Sequence, residues 1–323
     1  MRALVCSSLD GLKGVAVGVL PDPQPGPGEV LVRVGAAGVN FPDLLIIQGL
    51  YQERPDLPFA PGAEVAGEVV EVGRGTSGVE VGDRVYASTG HGGYAEQAVV
   101  PVDRLLHVPD GMPLEHAAVL PLAYGTAYHA LVDRGELRDG ETLLVLGAAG
   151  GVGLAAVQIG ATLGARVLAA VSSDEKAEAV RVAGASDVVR YDQTGLRDAM
   201  RSLAPEGADV VFDPVGGDAT EAALRSIAWR GRLLIIGFAA GDIPTVPANL
   251  PLLKGASVVG VFWGRFAQTE PDRNRRNFET LGAWWTEDRI APLISQTYDL
   301  DHAVDALRRI GRRGAIGKLV ITP

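Results

Sequence analysis

Residues Gly147–Gly153, reading GAAGGVG, constrain this chain more than any other stretch. They lie between an apolar run of β type, Thr142–Leu146, and a small-residue pattern of helical type, Leu154–Gly164. A strand that ends in glycines and opens a helix brings bare backbone N–H groups and a positive helix end to one point. That point suits a pyrophosphate, with Gly150, Gly151, Val152 and Gly153 as the expected contacts. The spacing is G-x-x-G-x-x-G rather than G-x-G-x-x-G, and neither pattern alone separates a phosphate site from a tight packing turn. Context favours the phosphate site, because a second β-type run, Arg166–Val171, follows at βαβ spacing.

The 323 residues are enough for two domains, and 47% hydrophobic content supplies ordinary cores. The single cysteine, Cys6, excludes internal disulfides and multi-cysteine metal sites and fits a reducing compartment. A formal charge of −10 argues against nucleic-acid and anionic-membrane partners, which call for a basic face. No basic region followed by an apolar run and a cleavage site opens the chain, so a cytoplasmic protein is expected. Between Glu141 and Arg166 there is no charged residue, a length that can span a bilayer. Six glycines interrupt it, and its texture passes from strand to turn to helix. It reads as the buried start of an α/β sheet.

The first third is rich in strands: Glu29–Val34, Ala66–Val72, Arg84–Ala87 and Tyr94–Val100 favour β structure. Pro25–Gly28 and Gly73, Gly75, Gly78 and Gly82 supply turns, giving a compact antiparallel domain with little helix. From Leu114 an Ala-rich helical pattern runs to about Val132. Apolar runs at Leu143–Leu146, Val167–Val171, Val188–Val189, Val210–Phe212, Leu233–Ile236 and Val258–Phe262 then alternate with helices such as Glu175–Ala183 and Thr220–Ala228. That alternation marks a doubly wound, mostly parallel sheet, so the fold class is α/β. A polar helix over Pro271–Thr286, a helix at Leu300–Ile310 and a last strand at Lys318–Ile321 complete the chain. The cleft between the β domain and the inserted dinucleotide domain is the expected ligand site.

An acidic residue about 20 positions past the glycines would bind the ribose hydroxyls of NAD. Here the second strand ends in Ser172 and Ser173, with Lys176 one helical turn on. Hydroxyls beside an ammonium accept a 2′-phosphate, which predicts NADPH over NADH, with a plain surface lysine as the alternative for Lys176. Asp174 and Glu175 adjoin the serines, where a carboxylate would repel a phosphate, and are equally explained as complements to a helix N-terminus. Tyr191, ending the third strand, can stack on adenine or bond the phosphate.

The stretches AAGVNFPDLLIIQGLY, PGAEVAGEVVEVG, VGDRV, GAAGGVG and GKLVI resemble the medium-chain dehydrogenase/reductase superfamily, and within it the zinc-free NADPH:quinone oxidoreductase family. The resemblance covers nearly the whole chain. It implies a GroES-like catalytic domain over 1–122, a Rossmann NADPH-binding domain over 123–263, and a return to the catalytic domain over 264–323. Zinc alcohol dehydrogenases of the superfamily carry a cysteine ligand where this chain has Asn40, and a histidine where it has Ala63. Only Glu64 of that motif is left, the four-cysteine lobe is absent, and the five histidines have no ligand spacing, so no metal is expected.

Without a metal to hold an alkoxide, alcohol oxidation loses its main charge stabiliser. Quinones and conjugated carbonyls take up hydride more readily, and neutral hydrogen-bond donors can serve their delocalised charge. The implied activity is reduction of quinones to hydroquinone or semiquinone. By resemblance Asn40 and Tyr51 line the substrate side and Thr126 contacts the nicotinamide end. Asn40 can present its amide to substrate or nicotinamide, or bond its own backbone as a turn residue. Tyr51 can donate its hydroxyl to a quinone oxygen, or be a half-buried core tyrosine. Asp43 holds the turn. Val215, Gly216, Gly237, Phe238, Ala239, Val261, Phe262 and Trp263 follow strands and edge the cofactor, and Lys318 matches the family's closing lysine near it. The bland alternative for Phe262 and Trp263 is core or subunit interface, and for Lys318 a surface strand lysine.

Two other functions stay open. One is an ene-reductase of enones, 2-alkenals or acyl-CoA, with Arg273, Arg275, Arg276, Arg308, Arg309, Arg312 and Arg313 drawing a phosphate-rich carrier or simply forming solvated helix faces. The other is a non-catalytic NADPH-binding protein. No tyrosine is followed by lysine four residues on, and no G-x-S-x-G occurs, which removes short-chain dehydrogenases and serine hydrolases. The apolar, β-rich Ala256–Trp263 is the expected edge through which a homodimer pairs.

Overall fold

In the computed structural model, which describes all residues from Met1 to Pro323, the chain forms two compact units. One comprises Met1–Leu122 and Pro292–Pro323, the other Ala123–Ala291.

The spine of the first unit is the strand Glu29–Val39. Along one edge it pairs antiparallel with Glu64–Val72. Along the other, residues 29–33 pair with Gln97–Pro101 and residues 37–39 with the closing strand Lys318–Thr322. One strand can serve two partners because register shifts at Leu31/Val32 and Val34/Ala36 bend it between them. Ile294–Asp299 extends the sheet parallel to Lys318–Thr322, while Arg84–Ser88 and Leu105–His107 extend it beyond Glu64–Val72. Alternate residues of these strands point into one core around Leu4, Val32, Ile47 and Tyr94. The helix Ala303–Gly311 closes that core with Ala303, Ala306 and Leu307.

The second unit is built on six parallel strands. Their spatial order is Asp187–Arg190, Arg166–Val171, Thr142–Val145, Ala208–Asp213, Ile227–Ile235, Ser257–Gly260. The earliest strand in sequence lies third, so the chain winds outward one way and then crosses over to wind the other way. The reversal beside Thr142–Val145 is the switch point where α/β sheets bind ligands. Leu143, Leu144, Val145, Val167, Leu168 and Ala169 are all buried, as strands covered on both faces require. The uncharged stretch after Glu141 is thus a strand, a turn and the helix Gly151–Thr162. No helix is long and apolar enough to cross a membrane.

Two expectations need correction. Residues 264–291 were expected to return to the catalytic domain, yet they belong to the second unit and the return begins at Pro292. The cause is a set of polar clamps onto the helix Gly151–Thr162. Gln158 donates to Ala291 O (2.8 Å) and accepts from Ala291 N (3.0 Å), and Arg289 donates to Thr162 O (3.2 Å). The Ala-rich helix expected from Leu114 also breaks up. It runs as Leu114–Ala118 and Gly125–Tyr128, with wider π-type turns at Leu120–Tyr124 and His129–Arg134.

Candidate active site

The glycine turn is formed as expected. Gly150 caps the helix Gly151–Thr162 in an extended conformation, and its carbonyl accepts from Leu154 N at 2.8 Å. A Cβ at Gly153 would lie 2.3 Å from Gly147 O and 2.8 Å from Ala148 Cα, so this position admits no side chain. The first-turn amides of Gly151 and Val152 have no acceptor within the helix. They open the helix on a turn of bare glycine backbone, which fits the pyrophosphate of a dinucleotide. The helix has no acidic residue in its first turn to oppose an anion.

At the end of the adjacent strand Arg166–Val171, the two serines divide their work. Ser173 caps the helix Asp174–Val182, its Oγ accepting from Lys176 N at 3.2 Å. Ser172 Oγ accepts from Lys176 Nζ at 3.5 Å. The ammonium keeps further donors, and it stands one turn from the strand end, as a 2′-phosphate site needs. Tyr191 opens the short helix Tyr191–Thr194 and is partly exposed.

The remaining strand ends are laced together. Pro214 O and Val215 O accept from Ala239 N (3.1 Å) and Ala240 N (2.8 Å), bringing Val215–Gly216 beside Gly237–Ala239. Sequence reading missed the organiser, the buried Asp213. It accepts from Val215 N and Gly216 N (both 2.9 Å) and from the Thr220 hydroxyl (2.5 Å). An Asp just ahead of Pro-Val-Gly-Gly is a turn signal that could have found it.

Gly125, the neighbour of Thr126, packs against Trp263 in the same unit. A Cβ at Gly125 would meet the Trp263 indole at 3.0 Å, and Trp263 Nε1 donates to Asn274 Oδ1 at 3.0 Å. Val261 is buried, whereas Phe238 and Phe262 stay exposed. Asp133, another group sequence reading missed, anchors the helices that follow Trp263. It binds His129 Nδ1 (2.8 Å), Asn277 Nδ2 (2.8 Å) and Arg273 (2.7 Å), while His129 stacks on Phe266 with ring centroids 3.9 Å apart. Those contacts, the guanidinium among them, hold the Asp133 carboxyl below its usual range against the opposing effect of burial.

The first unit holds a buried polar centre. Lys318 Nζ donates to Asn40 Oδ1 (2.6 Å), Glu64 Oε1 (2.9 Å) and Val39 O (3.1 Å), which uses all three of its hydrogens. The surface-lysine alternative is therefore removed. An ammonium can only donate, so the oxygen of the Asn40 amide must face it. Asn40 Nδ2 then donates to Glu64 Oε1 (2.9 Å) and Gly38 O (3.2 Å), so both amide hydrogens are engaged inside the protein. Glu64 Oε2 accepts from Leu122 N at 2.8 Å. A Cβ at Gly38 would sit 2.1 Å from Glu64 Oε1, so the carboxylate lies flat against a bare strand.

Asp43 holds the turn, as expected: its carboxylate accepts from Asn40 N (2.8 Å) and Tyr94 OH (2.6 Å). Burial pushes its pKa up to about 6 despite those hydrogen bonds. Tyr51 packs partly buried against the core, and burial, with the charges of Glu53 and Asp43, raises its pKa. Its hydroxyl stays protonated and able to donate. No group of three or more His, Cys, Asp or Glu side chains is arranged to hold a metal ion.

A glycine turn at the switch point of a parallel sheet, in one chain with a β domain centred on Asn40, Glu64 and Lys318, defines a dehydrogenase/reductase of medium-chain architecture. Residues 26–110 match the family model described as alcohol dehydrogenase GroES-like domain, and residues 151–279 the one described as zinc-binding dehydrogenase. The chain is 41% identical to the quinone oxidoreductase-like protein 2 of Bos taurus over 99% of its own length and 92% of that protein's. A solved mycobacterial structure complexed with NADPH is 32% identical, with a TM-score of 0.93 and full coverage of both chains. The Escherichia coli quinone oxidoreductase complexed with NADPH is 26% identical, again with a TM-score of 0.93 and full coverage of both. The chain belongs to the zinc-independent quinone oxidoreductase family of the medium-chain dehydrogenases/reductases.

Proposed function

We propose that this protein is an NADPH-dependent reductase whose acceptors are quinones. The observation that carries the reading is the pairing of a bare glycine turn with Ser172 and Lys176 at the neighbouring strand end. Its relatives support it, since the bovine one is named quinone oxidoreductase-like and two solved neighbours are complexes with NADPH.

Bound NADPH would supply a hydride. The chain's own residues then bind, orient and exclude water. Gly150–Gly153 take the pyrophosphate; Ser172, Ser173, Lys176 and Tyr191 take the 2′-phosphate end. Val215, Gly216 and Gly237–Ala239 edge the cofactor, while Thr126 and Val261–Trp263 bound the nicotinamide. Tyr51 donates a hydrogen bond to the acceptor oxygen. Asn40 and Lys318 work as a unit with Glu64, and since both amide hydrogens of Asn40 are engaged, its role is to position rather than to donate. A quinone that gains one hydride needs one proton to become a hydroquinone, and water can supply it.

The protein works as a homodimer in this reading, in a reducing cytoplasmic setting that suits its single cysteine. Ser257–Gly260 is an edge strand paired on one side only, beside the exposed Trp229, Leu252, Val258 and Phe262. Light scattering of the purified protein checks the mass.

The deciding experiment titrates NADPH and NADH by fluorescence and then follows NADPH oxidation with 1,4-benzoquinones, simple enones and crotonyl-CoA. Tighter NADPH binding and fastest turnover of benzoquinones are expected. Faster reduction of enones or crotonyl-CoA would make it an ene-reductase, and binding with no turnover on any acceptor would make it a non-catalytic NADPH-binding protein.

A further inference from the structure

We propose that Arg190 is a further specificity determinant for the cofactor's 2′-phosphate, held ready by Asp192 and occupied by Asp174 until the phosphate displaces it. The inference rests on the NADPH reading above and adds a residue and an exchange of partners to it.

Three observations carry it. The first is position. In the parallel sheet Arg190 is in register with Val171, the residue that leads directly into Ser172 and Ser173. Its guanidinium reaches Asp174, the first residue of the helix that Ser173 caps and that carries Lys176. Arg190 therefore borders the Ser172–Lys176 group from the neighbouring strand.

The second is how the fork is held. Arg190 Nε and Nη2 donate to the two carboxylate oxygens of Asp192 at 2.9 and 2.8 Å, a bidentate pair that fixes the plane of the guanidinium. The remaining amino group, Nη1, points to Asp174. Asp192 orients the fork without consuming that edge.

The third is the contrast in exposure. The Arg190 side chain is 19% exposed, whereas that of Asp174 is 96% exposed. A carboxylate almost wholly in water gains little from one ion pair and leaves it at little cost. A phosphate carries a charge of roughly −1.5 to −2 and three acceptor oxygens, so it outcompetes a single carboxylate for a guanidinium edge. Lys176 and Ser172 add donors to the phosphate that Asp174 cannot use. On this account the acidic pair beside the serines, which reads in sequence as a mark against a 2′-phosphate, includes a stand-in for it.

The test uses the full chain and isothermal titration with two probes, 2′,5′-ADP and 5′-AMP, at one fixed ionic strength. The wild type should prefer 2′,5′-ADP. Arg190→Gln should weaken 2′,5′-ADP roughly tenfold and leave 5′-AMP within about twofold, the scale of one lost charge-assisted hydrogen bond. Arg190→Lys should recover only part of the loss, because a point charge does not restore the fork. Asp174→Asn, which leaves Arg190 in place, should tighten 2′,5′-ADP about threefold by removing the competing carboxylate. If the wild type does not distinguish the probes, the NADPH reading fails and this inference with it. If the wild type discriminates and Arg190→Gln discriminates equally, the inference alone is overturned. Should Arg190→Gln not fold, Asp174→Asn decides, and unchanged or weaker 2′,5′-ADP binding overturns the exchange.

Discussion

Lys318 Nζ lies 2.9 Å from Glu64 Oε1, with both side chains buried and the two residues 254 positions apart in sequence. The pair ties the closing strand to the strand Glu64–Val72. Breaking one side leaves the other charge buried without its partner. Lys318→Met should therefore cost on the order of 3–5 kcal/mol, whereas Lys318→Met with Glu64→Gln should recover most of that loss. Chemical denaturation of the two single variants and the double variant checks this. Additive losses would show that the pair does not act as a unit.

Asn40 is the third member of that unit. Asn40→Ala removes an acceptor from Lys318 and a donor from Glu64, so a loss of about 1–3 kcal/mol is expected. Asn40→Asp keeps the oxygen facing Lys318 but turns a second carboxylate toward Glu64. It should fall below the wild type in thermal unfolding, and an unchanged melting temperature would count against the network.

What was legible in the sequence follows from how local each signal is. GAAGGVG predicted its own turn because a bare backbone at Gly153 is a one-residue requirement, which no partner elsewhere in the chain can relax. The alternating strands and helices of the second unit were readable for the same reason, since periodicity is local. The polar centre was only half readable. Sequence named Asn40 and Lys318 by resemblance, but the exhaustion of both Asn40 amide hydrogens appears only when Gly38, Glu64 and Lys318 come together in space. The end of the second unit was misread because Gln158 and Arg289 carry no local mark that they will clamp the chain at Ala291 and Thr162.

Asp43 gives a pH dependence with a definite sign. Burial raises its pKa from 3.8 to about 6, so the folded protein binds a proton there more tightly than the unfolded chain. Stability from this group is fully present below about pH 4 and is lost as pH rises to 6, by roughly 3 kcal/mol for a shift of this size. Asp43→Asn is neutral throughout and keeps an acceptor for Tyr94. The stability of Asp43→Asn relative to wild type should thus rise between pH 4 and pH 7 and level off above. Urea titrations at several pH values read this directly, and a flat difference would remove the shift.

Gly153→Ala tests the dinucleotide turn. Its Cβ would meet backbone atoms of Gly147 and Ala148, which cannot rotate away. The helix must back off the turn, at a cost of about 1–3 kcal/mol for overpacking a filled site. Because the same shift moves the amides of Gly151 and Val152, affinity for NADPH and for NADH should fall together. Loss of NADPH binding alone would mean that the turn holds the 2′-phosphate end rather than the pyrophosphate.

Tyr51 separates an acceptor-side role from mere packing. Its ring packs against the core of the first unit, and its hydroxyl is held protonated by burial and by the charges of Glu53 and Asp43. Tyr51→Phe keeps the ring and its buried area, so the melting temperature should move little if no buried partner depends on the hydroxyl. A hydrogen bond to the acceptor that strengthens as charge develops is lost, however, and turnover of a benzoquinone should fall about tenfold or more. Cofactor affinity should not change. The loss should be larger for acceptors of low reduction potential, which need more help from a donor at the oxygen, than for highly electrophilic ones. Steady-state rates across a series of substituted benzoquinones give this slope. If Tyr51→Phe lowers stability and leaves the whole series unaltered, Tyr51 is a core residue and the acceptor is held by other groups.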